Sequence, residues 1–502
     1  DGLLLFNYTG HGGTTALSDE KVLTQTDINQ FTYTHLPVWV TATCDFTRFD
    51  DLNTSAGEDV FLNKSSGGIA LFTTVRVAYS RPNFPINDNV IRNLFERNNG
   101  RRRTLGEVMQ ATKNTLSSVY KLGFCLIGDP AVKMAYPEFG MKVTTVNGQS
   151  VDGNSISFKA LEKITVEGEV LDASGQLVTD FTGIVNPTVK DSKVTVTCLK
   201  NSNKDDSPAF TFTDYPNTIF IGNDSVRNGK FSFTFTVPKD ISYSNLQGKM
   251  NLYAVDTESG NEAQGNFDNF IVGGTSDTAE TDTIGPEIRA LYLNDTTFVD
   301  GGQVNTTPYF VAELWDKSGV NITGSSVGHD MMLVIDESTV LSYNLNSYYE
   351  LLPGEEGTGI VKFPIPALEP GKHTAEFWVW DILNNSTVRT FTFEVVEGLK
   401  PFLFDVIATP GIAREQVTFH LMHNRPESRM RVGIMVYDLA GRQLWKHEES
   451  GTSGLFENYT VSWDLTSGGA RMRPGVYIYR AAISTDNSKD ATKARKFIIL
   501  GE

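Results

Sequence analysis

The sequence predicts an α/β region built on a parallel sheet, followed by three all-β sandwich domains. Up to about Pro137, apolar strand-like runs alternate with stretches of helical periodicity, as in a parallel sheet covered by helices. Beyond Pro137 the period becomes two, as in Phe231-Ser232-Phe233-Thr234-Phe235-Thr236-Val237, with turn residues roughly every ten positions, which marks antiparallel sandwiches. A length of 502 residues also exceeds one core and calls for three or four domains.

Taken in order, strands are expected at 3–8, 38–43, 69–75 and 124–127. Helices are expected at 87–98 and 104–118, where Val90, Ile91, Leu94 and Phe95, then Leu105, Val108, Met109 and Leu116, recur at helical spacing. Thr104 with Glu107 forms a capping box, each side chain satisfying a backbone N–H of the helix start. Among the sandwiches, the small polar stretch 273–281 reads as a linker, and Asp282-Thr283-Ile284-Gly285-Pro286 leads back into strands. A second boundary lies near 397–401. After it, apolar runs at 417–421, 432–439, 459–465, 475–483 and 496–500 make a last module of about 100 residues. The expected domains are therefore 1–137, 138–275, 282–397 and 399–502.

A net charge of −17 supplies no basic face for phosphate contacts, which sets nucleic acid aside as a partner. The longest apolar runs, 68–75 and 432–439, are strand-length and fall short of the roughly 20 residues that span a bilayer, so the chain itself is expected to be soluble. It opens with Asp1 and then Leu3-Leu4-Leu5-Phe6, almost inside a strand and without initiator Met or signal peptide, which reads as part of a longer protein. Three cysteines at 44, 125 and 198, without short spacings, form neither a dense disulfide framework nor a four-thiolate zinc site.

The first strand ends in Gly10-His11-Gly12-Gly13 and the second in Ala42-Thr43-Cys44-Asp45. In a βαβ unit this separation brings His11 and Cys44 to the carboxyl ends of adjacent parallel strands, where α/β sheets bind ligands. A thiolate attacks carbonyls, and a nearby imidazole takes its proton and later protonates the leaving amine. Gly12, lacking a side chain, lets its N–H approach a substrate carbonyl and form an oxyanion hole with the Cys44 N–H. Alone, each residue has a bland reading, Cys44 as a small buried hydrophobe and His11 as a turn residue. Together, at two strand ends of one sheet, they point to nucleophilic catalysis.

An apolar block before His-Gly and another before a terminal Cys resembles the caspase, legumain and gingipain clan. Asn7-Tyr8-Thr9-Gly10-His11-Gly12-Gly13, Ala42-Thr43-Cys44, Gly67-Gly68-Ile69-Ala70-Leu71 and Leu126-Ile127-Gly128-Asp129-Pro130 resemble landmarks of the gingipain family over about the first 135 residues. The resemblance implies the C-terminal part of a caspase/gingipain-like catalytic domain with His11 and Cys44 as the dyad. It also implies that 76–83, with Arg76, Val77, Ala78 and Tyr79, forms a wall of the primary specificity pocket. In that family an acidic residue orienting the histidine lies upstream of the part matched here, so no third member is named.

In the last module, Val436-Tyr437-Asp438-Leu439-Ala440-Gly441-Arg442, Ser462-Trp463-Asp464, Arg473-Pro474-Gly475-Val476-Tyr477-Ile478-Tyr479-Arg480 and Lys496-Phe497-Ile498-Ile499-Leu500 resemble, in order, the immunoglobulin-like C-terminal signal domains of Bacteroidetes type IX secretion cargo. The whole arrangement resembles the surface sortases of that system, with immunoglobulin-like sandwiches throughout the all-β part. That implies a peptidase at the cell surface of a Gram-negative bacterium, bound to the outer membrane through a partner, which removes C-terminal signal domains from cargo and transfers the acyl group to an amine of anionic lipopolysaccharide. The implied partners are the cargo, the outer-membrane barrel protein PorV, anionic lipopolysaccharide and other attachment-complex proteins. Two readings stay open beside it: a secreted gingipain-like endopeptidase that only hydrolyses, and a surface adhesin or scaffold with a vestigial peptidase half.

Cys125 and Cys198 sit in strand-like runs and read as core. His35, His329, His373, His420, His423 and His447 are scattered without metal-site spacing, and Arg101-Arg102-Arg103 reads as a solvated turn. No cofactor and no catalytic metal are expected. Acidic clusters such as 45–51 leave structural calcium possible, although no Asp-x-Asp-x-Asp-Gly loop occurs.

Overall fold

Strands whose residues are apolar at every position, such as Val38-Trp39-Val40, bury both faces and need a helical layer on each side. The computed structural model places such strands at the centre of a three-layer α/β/α region. It describes residues 3–31, 35–64, 66–98, 100–200, 208–277, 282–324, 328–352, 357–485 and 488–500. The opening Asp1, Asn99 before the arginine run, Thr278–Thr281 of the expected linker and the side chains of Ser80 and Pro82 lie outside the described residues. Backbone packing divides the chain into two units: residues up to Gly140 with Val170–Phe181 and Val255–Gln264, and the remainder.

In the first unit, β1 (Leu5–Thr9), the short hairpin β2 (Ala16–Leu17) and β3 (Leu23–Thr24), α1 (Gln25–Gln30), β4 (Val38–Ala42), α2 (Ala56–Leu62), β5 (Ala70–Thr74), α3 (Ser80–Phe95), α4 (Leu105–Thr115) and β6 (Phe124–Gly128) follow in order. The central sheet runs β1-β4-β5-β6. Val38, Val40, Ala70 and Phe72 pack against Ile86, Val90, Leu94, Leu105 and Val108 of α3 and α4. The alternate residues Trp39 and Leu71 pack against Ile28, Ala56 and Val60 of α1 and α2. The capping box of α4 is present, with the Glu107 N–H donating to Thr104 Oγ1 (3.3 Å) and the Thr104 N–H to Glu107 Oε2 (2.9 Å).

Two expectations need correction. The sheet is not wholly parallel, because β6 pairs antiparallel with β5. One crossover helix returns the chain to the start of the next strand, but two helices in succession, α3 and α4, carry it back to the far edge, so β6 runs the other way. Helix α3 also starts seven residues before the expected position, at Ser80, because its N-terminal half tolerates Pro82 and Pro85, which read as breakers in sequence.

The second unit is all-β. Lys163–Leu171 pairs with Lys230–Thr236, whose Phe231, Phe233 and Phe235 point inward while Lys230, Ser232 and Thr234 are exposed. Further along, a four-stranded and a five-stranded sheet between Glu287 and Val395 share one core containing Phe310, Leu333, Phe377 and Phe393. From Leu403 to Ile499, a three-stranded and a five-stranded sheet share another, centred on Phe419, Trp463, Tyr479 and Phe497. The strands Leu403–Thr409 and Gln443–Gly451 in this last core escaped the sequence reading. Among the described residues no helix is long and apolar enough to cross a membrane.

Candidate active site

The parallel ladder between β1 and β4 pairs Leu5 with Val38 and Thr9 with Ala42, a constant offset of 33. The same offset relates His11 to Cys44, each two residues past the last pair. The Gly10 N–H extends the ladder to the Ala42 carbonyl (3.4 Å). A Cβ built on Gly12 would overlap Thr43 Oγ1, so the histidine loop rests directly on the residue before Cys44, and only glycine permits that approach. The His11 carbonyl accepts from Tyr8 Oη (2.6 Å) and from the Ser18 N–H (2.7 Å), which fixes the loop while leaving the imidazole exposed.

Cys44 is half-buried, and its Sγ donates to the Ala78 carbonyl (2.9 Å). After it Asp45 turns the chain in the left-handed region (φ 45°). The Asp45 N–H then reaches the Arg76 carbonyl (3.5 Å) and the Thr47 N–H the Thr74 carbonyl (3.1 Å), tying the loop to the end of β5. Behind it, Asn83 Nδ2 donates to the Thr43 carbonyl (3.1 Å). Among the described residues neither the Gly12 nor the Cys44 backbone N–H donates a hydrogen bond.

The segment 76–79 runs beside the thiol. Val77 and Tyr79 are 64% and 65% exposed, and Tyr79 meets Tyr120 edge-on at 5.6 Å. The Arg76 guanidinium does not offer free charge to the cleft. It forks onto Asp50 (3.1 and 2.6 Å) and holds that carboxyl below its usual range. Asp45 and Asp51 face Arg48 (3.9 and 3.5 Å), so the acidic run 45–51 is engaged by arginines.

One nearby group had no sequence signal. Glu20, in an exposed turn, is held below the ordinary carboxylate range chiefly by the Ser18 hydroxyl, with a smaller contribution from the field of His11.

The remaining candidates lie elsewhere. Cys125 is in β6 and Cys198 lies just past Val194–Thr197; both are half-buried rather than fully in a core. His423 is half-buried, accepts from the Arg425 N–H (3.1 Å), faces Ser453 Oγ (2.9 Å) and is pushed down to about 4 by desolvation, as a structural histidine is. The arginine run is more than a solvated turn: Arg101 binds Glu107, Arg102 binds Glu138 (3.0 Å) and Arg103 binds Glu96 (2.8 Å). In the second unit Asp282, Asp316 and Asp381 bring carboxylate oxygens within 4.8 Å of one another, and burial first, then the two neighbouring carboxylates, pushes Asp316 up to about 6.

Residues 1–135 match the model of peptidase family C25. Among solved structures, dimeric latent PorU from Porphyromonas gingivalis is 37% identical over 82% of this chain and 39% of that one, with a TM-score of 0.36. This chain thus spans about two fifths of PorU. The complex of Porphyromonas gingivalis RgpB pro- and mature domains is 20% identical over 54% of each chain, with a TM-score of 0.25. The Arg-specific cysteine proteinase gingipain R is 20% identical over 54% of this chain and 53% of that one, with a TM-score of 0.26. The search of curated proteins found no match.

Proposed function

The first 135 residues belong to peptidase family C25, a cysteine peptidase family, and on that premise we propose that His11 and Cys44 are the dyad of a cell-surface transpeptidase. It removes C-terminal signal domains from secreted cargo and joins the new C-terminus to an amine of anionic lipopolysaccharide. The observation that carries this is the paired strand ends: one ladder register, with Gly12 lying on Thr43, holds the imidazole loop against the thiol loop.

The chemistry follows from that placement. His11 takes the Cys44 proton, and the sulfur forms a bond to the scissile carbonyl carbon. The developing oxyanion is met by the Gly12 and Cys44 N–H groups, each such donor being worth about 3 kcal/mol. Collapse breaks the C–N bond, and the proton on His11 leaves with the amine of the signal domain. The thioester is then attacked by an acceptor amine, which passes a proton through His11 back to the sulfur as the thioester opens. Water in place of the amine gives a free carboxylate and an ordinary endopeptidase.

The three all-β segments serve, in this reading, as immunoglobulin-like modules, the last akin to a type IX secretion signal domain. They hold the peptidase at the outer membrane through the barrel protein PorV and other attachment-complex proteins. The dyad works without a cofactor. Structural calcium is tested by melting the protein with and without a chelator, where an unchanged Tm removes it.

The deciding experiment is mass spectrometry of a cargo protein incubated with the full-length enzyme, or its Cys44→Ala variant, and a glycyl peptide as acceptor. An amine adduct at the new C-terminus that is absent with the variant supports the transpeptidase. A free carboxylate alone leaves a hydrolase, the same product from Cys44→Ala ends the dyad reading, and intact cargo with both proteins favours a scaffold.

A further inference from the structure

We infer that Asn83 is a positioning residue that aims the Cys44 N–H of the oxyanion hole; this rests on the dyad proposed above and extends it. Asn83 stands in the first turns of α3, on the face that Ile86, Val90 and Leu94 present to the core, and is 3% exposed. Packing alone does not account for an amide there. Its Oδ1 is buried without a donor, a destabilising arrangement that an apolar side chain of the same size avoids.

What the amide does supply is one bond, from Nδ2 to the Thr43 carbonyl at 3.1 Å. That carbonyl lies past the end of β4, where the ladders to β1 and β5 have stopped. The Thr43 carbonyl and the Cys44 N–H belong to the same planar, trans peptide unit, so they point in opposite directions. Holding the oxygen against α3 therefore turns the Cys44 N–H away from α3, and a bonded carbonyl also makes its N–H a stronger donor. Thr43 is gripped on its other side by Gly12, whose absent side chain leaves room only for Thr43 Oγ1. One residue thus sets both proposed oxyanion donors, Gly12 through contact and Cys44 through the shared peptide plane.

The test compares two reactions of Cys44 in the full-length enzyme. Acyl transfer from a cargo peptide uses the oxyanion hole, whereas alkylation by iodoacetamide is a displacement at carbon that has no oxyanion to stabilise. Asn83→Leu, close in volume and without a donor, is expected to lower kcat about 10- to 100-fold. KM and the alkylation rate of Cys44 should stay within about twofold, and Tm should hold or rise once the unpaired Oδ1 is gone. Asn83→Asp, equal in shape but lacking the Nδ2 donor, should lose kcat in the same way and serves if the leucine variant misfolds. Full activity in both variants overturns the inference. So does a parallel fall in alkylation and acyl transfer, or loss of folding in both, since each describes a merely structural asparagine. A Cys44→Ala control separates the two levels: if it retains activity the dyad is wrong, and if it is dead while Asn83→Leu is fully active only the role of Asn83 falls.

Discussion

The α/β unit and the last all-β region differ in how many buried polar groups they leave unpaired. Eight buried side-chain polar atoms have no hydrogen-bond partner among the described residues, and six of them, on Thr43, Asp45, Thr74, Asn83, Asn87 and Tyr136, are in the α/β unit. Thr43 and Asp45 flank Cys44 directly, and Asn83 is bonded to Thr43. Past Leu403 there is one such atom, Nε of the buried Arg425, while Phe419, Trp463, Tyr479 and Phe497 interlock and the buried Tyr479 hydroxyl donates to the Val406 carbonyl (2.9 Å). Unpaired buried acceptors are costly, so they persist where a site over-determines its geometry, while the β modules are optimised for cohesion. Activity should therefore be fragile in the first region and stability in the second.

The sharpest break of that contrast is at the proposed dyad. Cys44→Ala should abolish cargo processing and His11→Ala reduce it by at least about 1,000-fold, because the two act as a unit. All three cysteines are half-buried, so exposure does not rank them. Iodoacetamide at near-neutral pH should nevertheless label Cys44 first if His11 accepts its proton as proposed; equal labelling of Cys125 and Cys198 counts against the pairing.

A smaller effect on rate is expected from Gly12→Ala, whose methyl must displace Thr43 Oγ1. Parting the two loops by a fraction of an ångström should cost about 100-fold in kcat, measured with a cargo peptide, with little change in Tm.

The converse experiment is Phe419→Ala, which removes a fully buried ring packed 4.9 Å from Tyr479. It should cost about 3–5 kcal/mol of stability, seen as a lowered Tm, and leave the labelling rate of Cys44 untouched. A change in Cys44 reactivity would show that the two regions are coupled.

The mildest effect concerns pH. Asp316 is raised to about 6 from an ordinary 3.8, so between these values the folded protein binds a proton that the unfolded chain has released. This contribution makes the protein most stable below pH 4, is lost as pH rises through 6, and stays lost above. Asp316→Asn should therefore raise Tm by a few degrees at pH 7 and by less at pH 4, as followed by calorimetry.

Much of the α/β half was legible because buried strands write themselves as apolar blocks. Val38-Trp39-Val40 and Leu71-Phe72 were found within a residue or two of their observed ends, and so were His11 and Cys44 at the tips of their strands. Strand direction was not legible, since Phe124-Cys125-Leu126-Ile127 has the same period read either way and only the helix pair before it sets its sense. The early start of α3 was hidden by Pro82 and Pro85, and with it the place of Asn83 in a helix, since the resemblance put 76–83 in a pocket wall. The carboxylates of Asp282, Asp316 and Asp381 are far apart in sequence, and the contact exists only once two strand ends and a linker meet. The acidic run 45–51 was conspicuous in sequence and is paired with arginines in the fold.

The reversed last strand of the sheet also decides which loops are free to vary. Phe124, the start of β6, lies opposite Thr74 at the end of the sheet that carries Cys44, and Gly128, its end, lies opposite Ala70 at the other. The turn that enters β6, Val119–Gly123, is therefore the one beside the thiol, with Tyr120 against Tyr79 and the Gly123 carbonyl bonded to the Val75 N–H (2.8 Å). The chain departs for its β modules from the opposite edge. Changes in Val119–Gly123 therefore act at the end of the sheet that carries Cys44, and changes just past Gly128 act at the other.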